Sequence, residues 1–282
     1  MAFRLFALAA LLGFGLWRLL QYWNRWFRNV ASAAYAAYGR GDYEGQLREA
    51  ERLRTWAPAE YLFYRGIALF EMNRLEDAEQ SLRQSLEQQN KPIQRALREA
   101  VLGSVLREQG RFEEAIACNE RLANLRAGEW NTAREIARVL LQQGTQSREA
   151  LQQARKGVEF CETRKPRVLQ HVAVDLQEEV RDEGMAESLA LLAWAETVNA
   201  ANPVKVEDLI VKARRHVPKN PECHVSSVAL IHYYSGRAYA ALGKTEQAVS
   251  EFECAARLDP KGNSGRLAKA ALAVSSDPAP KA

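Results

Sequence analysis

Gly236-Arg237-Ala238-Tyr239-Ala240-Ala241-Leu242-Gly243-Lys244-Thr245-Glu246-Gln247-Ala248-Val249-Ser250-Glu251-Phe252-Glu253-Cys254-Ala255-Ala256-Arg257-Leu258-Asp259-Pro260 is the stretch that decides the fold. Ala, Leu, Glu, Gln and Arg, all good helix formers, dominate it. Gly243 and Pro260 punctuate it, so it reads as the end of one helix, a turn, and a second helix stopped before proline. The same composition extends through the chain of 282 residues, 47% hydrophobic and 26% charged, which is that of an ordinary folded protein. Pro and Gly fall mostly between apolar-periodic stretches, and no segment alternates apolar and polar residues as a half-buried strand would. The sequence predicts an all-α protein.

The residue pattern of this stretch then repeats. Gly236-x2-Tyr239, Gly243, Ala248-x3-Phe252, Ala255 and Asp259-Pro260 have earlier counterparts. These are Gly66-x2-Leu69 with Asn73-Arg74-Leu75 and Ala78-x3-Leu82, and Leu102-Gly103-x2-Leu106 with Gly110-Arg111-Phe112 and Ala115. A fainter copy at the start has Ala34, Gly41-Asp42-Tyr43 and then Pro58. On these residues the chain resembles the tetratricopeptide repeat family, whose period is about 34 residues. The resemblance implies a right-handed solenoid of helix pairs. In it Gly66, Gly103 and Gly236 are small so that paired helices can approach, and Ala78, Ala115 and Ala248 enter the same crossings. Tyr239 and Phe252 fill the space between repeats, and Pro260 ends the second helix. Between Gly103 and Gly236 the pattern fades. Trp130–Gln142 and Ser147–Cys161 read as a helix pair, whereas Arg167–Arg181, Met185–Asn199 and Val206–Val217 read as three helices that cannot be paired evenly. The expected division is residues 1–28 as anchor, 29–261 as solenoid with an ambiguous 166–221, and 262–282 as a capping helix and disordered tail.

The N-terminus carries a second signal. Leu5 to Trp17 is unbroken apolar sequence, and with Arg18 snorkelling the run extends to Trp23, about 28 Å of helix. Arg18, Trp23, Arg25, Trp26 and Arg28 then interleave cations and indoles as a headgroup layer favours. A cleaved signal peptide would need small residues directly after the run, but Ala31-Ser32-Ala33 lies beyond the Trp- and Arg-rich segment. A lipoprotein needs an early cysteine, and the first is Cys118. The sequence thus predicts an uncleaved single-pass anchor in contact with lipid. Arg18, Arg25, Arg28 and Arg40 follow the apolar run, which puts the repeats on the cytoplasmic side.

As for chemistry, the net charge of +4 is spread over mixed-sign helices, so nucleic acid is not an expected partner. No Gly-rich phosphate loop, HExxH or serine elbow occurs, and no catalytic residue, metal ligand set or cofactor is expected. Cys118, Cys161, Cys223 and Cys254 form no CxxC pair, and Cys223-His224 with His232 lacks paired ligand spacing. The family resemblance instead implies a concave face formed by the first helices of each pair. It would place Tyr35, Tyr38, Phe63, Ile67 and Phe70 near that face, a groove suited to a helix or extended peptide of a protein partner. The alternative for these rings is packing between neighbouring helices. Chaperone-docking members clamp a C-terminal carboxylate with Lys and Asn, and the equivalent Ala31, Tyr35, Ala100 and Ser104 lack that clamp. The expectation is a non-enzymatic membrane scaffold. A second reading is a regulator of envelope biogenesis, similar only in architecture to the tetratricopeptide protein that controls lipopolysaccharide synthesis. That family's CxxC…CxxC module is missing here.

Overall fold

The computed structural model describes the backbone of residues 2–124, 129–163 and 174–276, and within these the side chains of 14, 17–122, 132–163 and 181–274. Its elements are helices, in order α1 (Ala2–Gly39), α2 (Tyr43–Glu51), α3 (Pro58–Glu71), α4 (Leu75–Glu87), α5 (Pro92–Glu108), α6 (Phe112–Asn124), α7 (Glu129–Gln143), α8 (Ser147–Thr163), α9 (Val174–Val198), α10 (Pro203–Arg215), α11 (Val225–Ala241), α12 (Thr245–Leu258) and α13 (Asn263–Ser276). A 3-10 turn, Pro221–Cys223, precedes α11. Starts follow local chemistry. Pro58, Pro92 and Pro203 occupy first-turn positions, where a missing N–H costs nothing. Asp42 accepts the Gly45 N–H at 2.8 Å, and Asn202 accepts the Val204 N–H at 2.9 Å.

Each helix packs on the next, and α3, α5, α7, α9 and α11 also touch in succession. The result is an inner layer of odd-numbered helices and an outer layer of even-numbered ones, with α13 covering α11 and α12. The repeat glycines sit at the crossings. A Cβ on Gly236 would lie 2.6 Å from the Phe252 ring, and one on Gly66 would lie 2.7 Å from Leu82. One on Gly103 would meet the Asn119 amide at 3.2 Å and Cys118 Cβ at 3.4 Å. Ala78, Ala115, Ala248 and Phe252 are buried against these positions, and Tyr239 is buried beside them. The ambiguous middle resolves into one long helix and one ordinary helix, α9 and α10, so six pairs and a cap account for the described chain. Part of the expected Arg167–Arg181 helix lies outside the described residues, as do His171 and the tail from residue 277.

The solenoid closes on itself. Tyr43 donates to Asp259 Oδ1 at 2.8 Å, and the Asn263 N–H donates to Glu71 Oε2 at 2.8 Å. Ser226 Oγ donates to the same carboxylate at 3.3 Å, and Arg266 donates to the Glu71 carbonyl and, at 3.4 Å, to that of Phe70. Gly39 completes the seam, since a Cβ there would lie 2.2 Å from the Cys223 carbonyl. The first two pairs and the last thus meet, and the inner layer surrounds a central cavity.

The expected single-pass membrane anchor is corrected: among the described residues no helix is long and apolar enough to cross a membrane. The side chains of the apolar run up to Trp17 lie outside the described set, except for Phe14 and Trp17. In the described part of α1, Arg18, Arg25 and Arg28 fall within the run, on one face of the helix, and lower its hydropathy. The same helix continues without a break to Gly39, where Val30, Ala34 and Ala37 are buried in the first pair. Of the five residues expected at a lipid interface, Trp26 packs on Val30, Leu53 and Ala57. Trp23 stacks on Phe27, and together with Tyr22, Trp26 and Trp56 it forms a shallow recess. Arg18, Arg25 and Arg28 are arrayed along the same helix, with Arg18 over the Phe14 ring at 5.7 Å. The architectural similarity to the lipopolysaccharide regulator depended on the anchor and falls with it.

Candidate functional site

Five residues from the first two pairs, Tyr35, Tyr38, Phe63, Ile67 and Phe70, line a single cavity of about 460 Å³ at the centre of the ring. Helical spacing puts Tyr35 and Tyr38 one turn apart on α1, and Phe63, Ile67 and Phe70 on one stripe of α3. Tyr35 and Tyr38 lie with ring centroids 6.2 Å apart, and Tyr38 touches Tyr43 at the same distance. Phe63 carries the Arg98 guanidinium 4.8 Å above its ring. Exposure differs among them: Tyr35 is 56% exposed and Phe70 8%. Phe70 therefore presents one edge to the cavity while its body packs in the core with Leu69 and Leu102. The two roles considered for these rings, groove lining and interhelix packing, coexist in one side chain.

The opposite wall is charged. Arg107 and Arg138 bracket Glu135 at 2.7 and 2.6 Å, and Arg134 meets Glu187 at 2.6 Å. Burial by itself pushes the Glu135 carboxyl up, but the Arg138, Arg107 and Arg134 guanidiniums outweigh it and hold it near 2. Glu71, buried where the ring closes, shows the reverse balance. Burial dominates and pushes its carboxyl up to about 7, against the Asn263 N–H, Arg266 and Ser226, which favour the charged form. The Tyr38 phenol is raised by burial first and next by the Glu71 charge, with Glu183 and Tyr35 adding to it. Glu183 itself faces His224 Nδ1 at 3.3 Å.

None of these polar residues stood out in the sequence. Arg134, Glu135 and Arg138 sit on an expected helix at one-turn spacing, but that spacing equally describes a solvated face. Their burial follows from α7 lying between α5 and α9. The cysteines are free thiols on separate elements, and burial pushes Cys118 up to about 12. His232, on α11, bonds Glu251 of α12 at 2.7 Å. Among the described residues no group of three His, Cys, Asp or Glu side chains could hold a metal.

Residues 231–261 match the tetratricopeptide repeat family. The matched residues run from Ile231 in α11 through α12 to Lys261. The last pair supplies α11 to the cavity wall through Ser226, Ser227 and Leu230, which precede the matched residues, and its α12 packs through Ala248 and Phe252. The match covers this pair alone, and the closed array around it is an all-helical solenoid of the same helix-pair kind. Among solved structures, a tetratricopeptide repeat protein from Parabacteroides merdae aligns over 89% of this chain and 99% of its own, with 15% identity and a TM-score of 0.42. The structure of Naa15/Naa10 bound to HypK-THB aligns over 83% of this chain and 36% of its own, with 13% identity and a TM-score of 0.39. A comparison with curated proteins found no match.

Proposed function

We propose that this protein is a non-enzymatic scaffold that binds a segment of a protein partner in its central cavity. The observation that carries this reading is the convergence of Tyr35, Tyr38, Phe63, Ile67 and Phe70 on one concave surface. Aromatic anchors in a concave, largely preformed site supply most of the energy in peptide recognition. A cavity of about 460 Å³ accommodates a few side chains rather than a folded domain. The occupant is a short helical or extended segment with at least two bulky apolar residues. The repeat at 231–261 supports the same reading, because helix-pair solenoids present inner-layer surfaces to partners. The buried ion pairs of the far wall are absorbed in holding α5, α7 and α9 together, which leaves them no catalytic task.

Selection of displayed random 12-residue peptides on the full chain tests the proposal. Enrichment of sequences with paired bulky apolar residues is expected. Those peptides should bind Tyr35→Ser/Ile67→Ser at least about tenfold more weakly, while the variant melts close to the parent. Both substituted side chains are partly exposed, so folding should survive. Absence of enrichment, or equal binding to the variant, would overturn the reading.

A further inference from the structure

The first helix pair is unequal. α1 runs 38 residues and α2 nine, whereas α3 and α4 run 14 and 13, and α7 and α8 run 15 and 17. At 1.5 Å per residue, α2 covers about 13 Å of a helix about 57 Å long. Cover ends near Val30, which is buried with Leu53, Ala57 and Trp26. The stripe that buries Val30 continues N-terminally through Trp26, Trp23 and Leu19, at the alternating four- and three-residue spacing of a helix–helix seam. From Trp17 to Arg25 every residue is exposed. Trp56, from the connection between α2 and α3, is 68% exposed, and with Tyr22, Trp23 and Trp26 it walls a recess of about 260 Å³ on this stripe.

Charge on this surface is of one sign. No acid precedes Asp42. Arg18 and Arg25 lie one and two turns along the helix on either side of Tyr22 and form one edge of the stripe. Among the described residues Arg18, Arg25 and Arg28 meet no carboxylate: Arg18 lies over the Phe14 ring, and Arg28 donates to the Asn24 carbonyl at 3.4 Å. Arginines elsewhere pair within a turn, as Arg52 with Glu49, Arg74 with Asp77 and Arg111 with Glu114, each at 2.6 Å.

The geometry points to the N-terminal half of α1 as a docking surface for an acidic amphipathic helix of a protein partner. That helix lies along Leu19, Trp23 and Trp26 beyond the end of α2, continuing the outer layer. It puts one bulky apolar side chain into the Trp56 recess and sets carboxylates against Arg18 and Arg25. A contiguous exposed apolar stripe marks an interaction site, and the seam spacing suits a helix. A flat lipid surface would use the same indoles but has no need of a recess walled from a second element. The surface is separate from the central cavity and does not rest on the function proposed for it.

Selection on the full chain from a displayed library of amphipathic helices tests this. The helices are about 18 residues, or about 27 Å, long, with Glu, Lys and Gln varied on the outer positions. Enriched helices are expected to be net acidic, with a bulky apolar residue near the centre. A synthetic copy of the leading sequence should bind Trp56→Ala and Arg18→Glu/Arg25→Glu each about tenfold more weakly than the parent, and less well as salt rises. The substituted side chains are exposed, so both variants should melt like the parent. Tyr35→Ser/Ile67→Ser should bind the copy as tightly as the parent does; loss of binding there would put the helix in the cavity and overturn the proposal. Enrichment of neutral or basic helices, binding unchanged in either surface variant, or no enrichment would overturn it as well. So would a chain that sediments as a dimer by itself and as a monomer with Trp56→Ala, because a second copy would then cover the stripe. Flotation with vesicles containing about 30% phosphatidylglycerol, lost in Arg18→Glu/Arg25→Glu while no acidic helix is enriched, would assign the surface to lipid instead.

Discussion

Gly236 is the residue on which the last pair depends, because α11 and α12 meet there with the Phe252 ring where a side chain would begin. An aromatic ring wedged between two helices cannot retreat by a rotamer change, as the tip of a long side chain can. Gly236→Ala should therefore destabilise by about 1–3 kcal/mol, the usual range for overpacking. Gly103→Ala should cost clearly less, since its nearest neighbours are the Asn119 amide at 3.2 Å and Cys118 Cβ at 3.4 Å. Thermal melts of the two variants measure the difference. An equal effect at both positions would mean that backbone propensity, not the crossing, sets their role.

At the scale of the element, the turns inside the helix pairs share one device. Gly41, Gly110, Gly144 and Gly243 all take a left-handed φ between 71° and 76°, and Asn73 and Ala200 take the same conformation at 61° and 58°. Every such turn holds at least one of these residues, and that of the fourth pair adds Gln146 at 52°, so the backbone repeats even where the side chains do not. Glycine and asparagine enter this region readily, whereas alanine does so at a cost of about 1 kcal/mol. That is why the fifth pair was hard to read: its turn carries Ala200, and its first helix, α9, runs to 25 residues. Ala200→Gly relieves the strain at some cost in unfolded-chain entropy. It should raise stability by about 0.5–1 kcal/mol, where most glycine substitutions lower it. Denaturant titration checks the sign, which a turn able to relax around Ala200 would reverse.

For the whole molecule the distinctive feature is closure, and its chemistry is pH-sensitive. Glu71 bridges α3 to α11 and α13 with Asp259, Arg266, Ser226, Asn263 and Tyr38 around it. With its carboxyl raised from 4.5 to about 7, the folded chain binds a proton that the unfolded chain releases. Its contribution therefore favours folding at pH below about 4.5 and is lost progressively as pH rises to about 7. Glu71→Gln keeps the shape, can accept from Asn263 and donate to Ser226, and carries no charge. It should stabilise the protein by about 1–3 kcal/mol at pH 8 and by little at pH 5. Melting temperatures at the two pH values decide this, and a variant less stable at pH 8 would show that the ionised carboxylate holds the seam. The neighbouring Asp259, also raised by burial, acts in the same direction.

What the sequence determined by itself was local. Helix formers, first-turn prolines and the Gly–Ala crossings specify the helices and the pairing at both ends, because these depend on residues a few positions apart. The family resemblance implied that Tyr35, Tyr38, Phe63, Ile67 and Phe70 share a concave face, and the five line one cavity. The N-terminal run misled because hydropathy was read without the rest of α1, whose last turns belong to the first pair. Only the tertiary structure decided the closure of the solenoid and the buried ion pairs. Tyr43 and Asp259 are 216 residues apart, and Glu71 and Asn263 are 192 apart. Such contacts depend on the small rotation from each helix pair to the next, added up around the ring, and no local pattern encodes that sum.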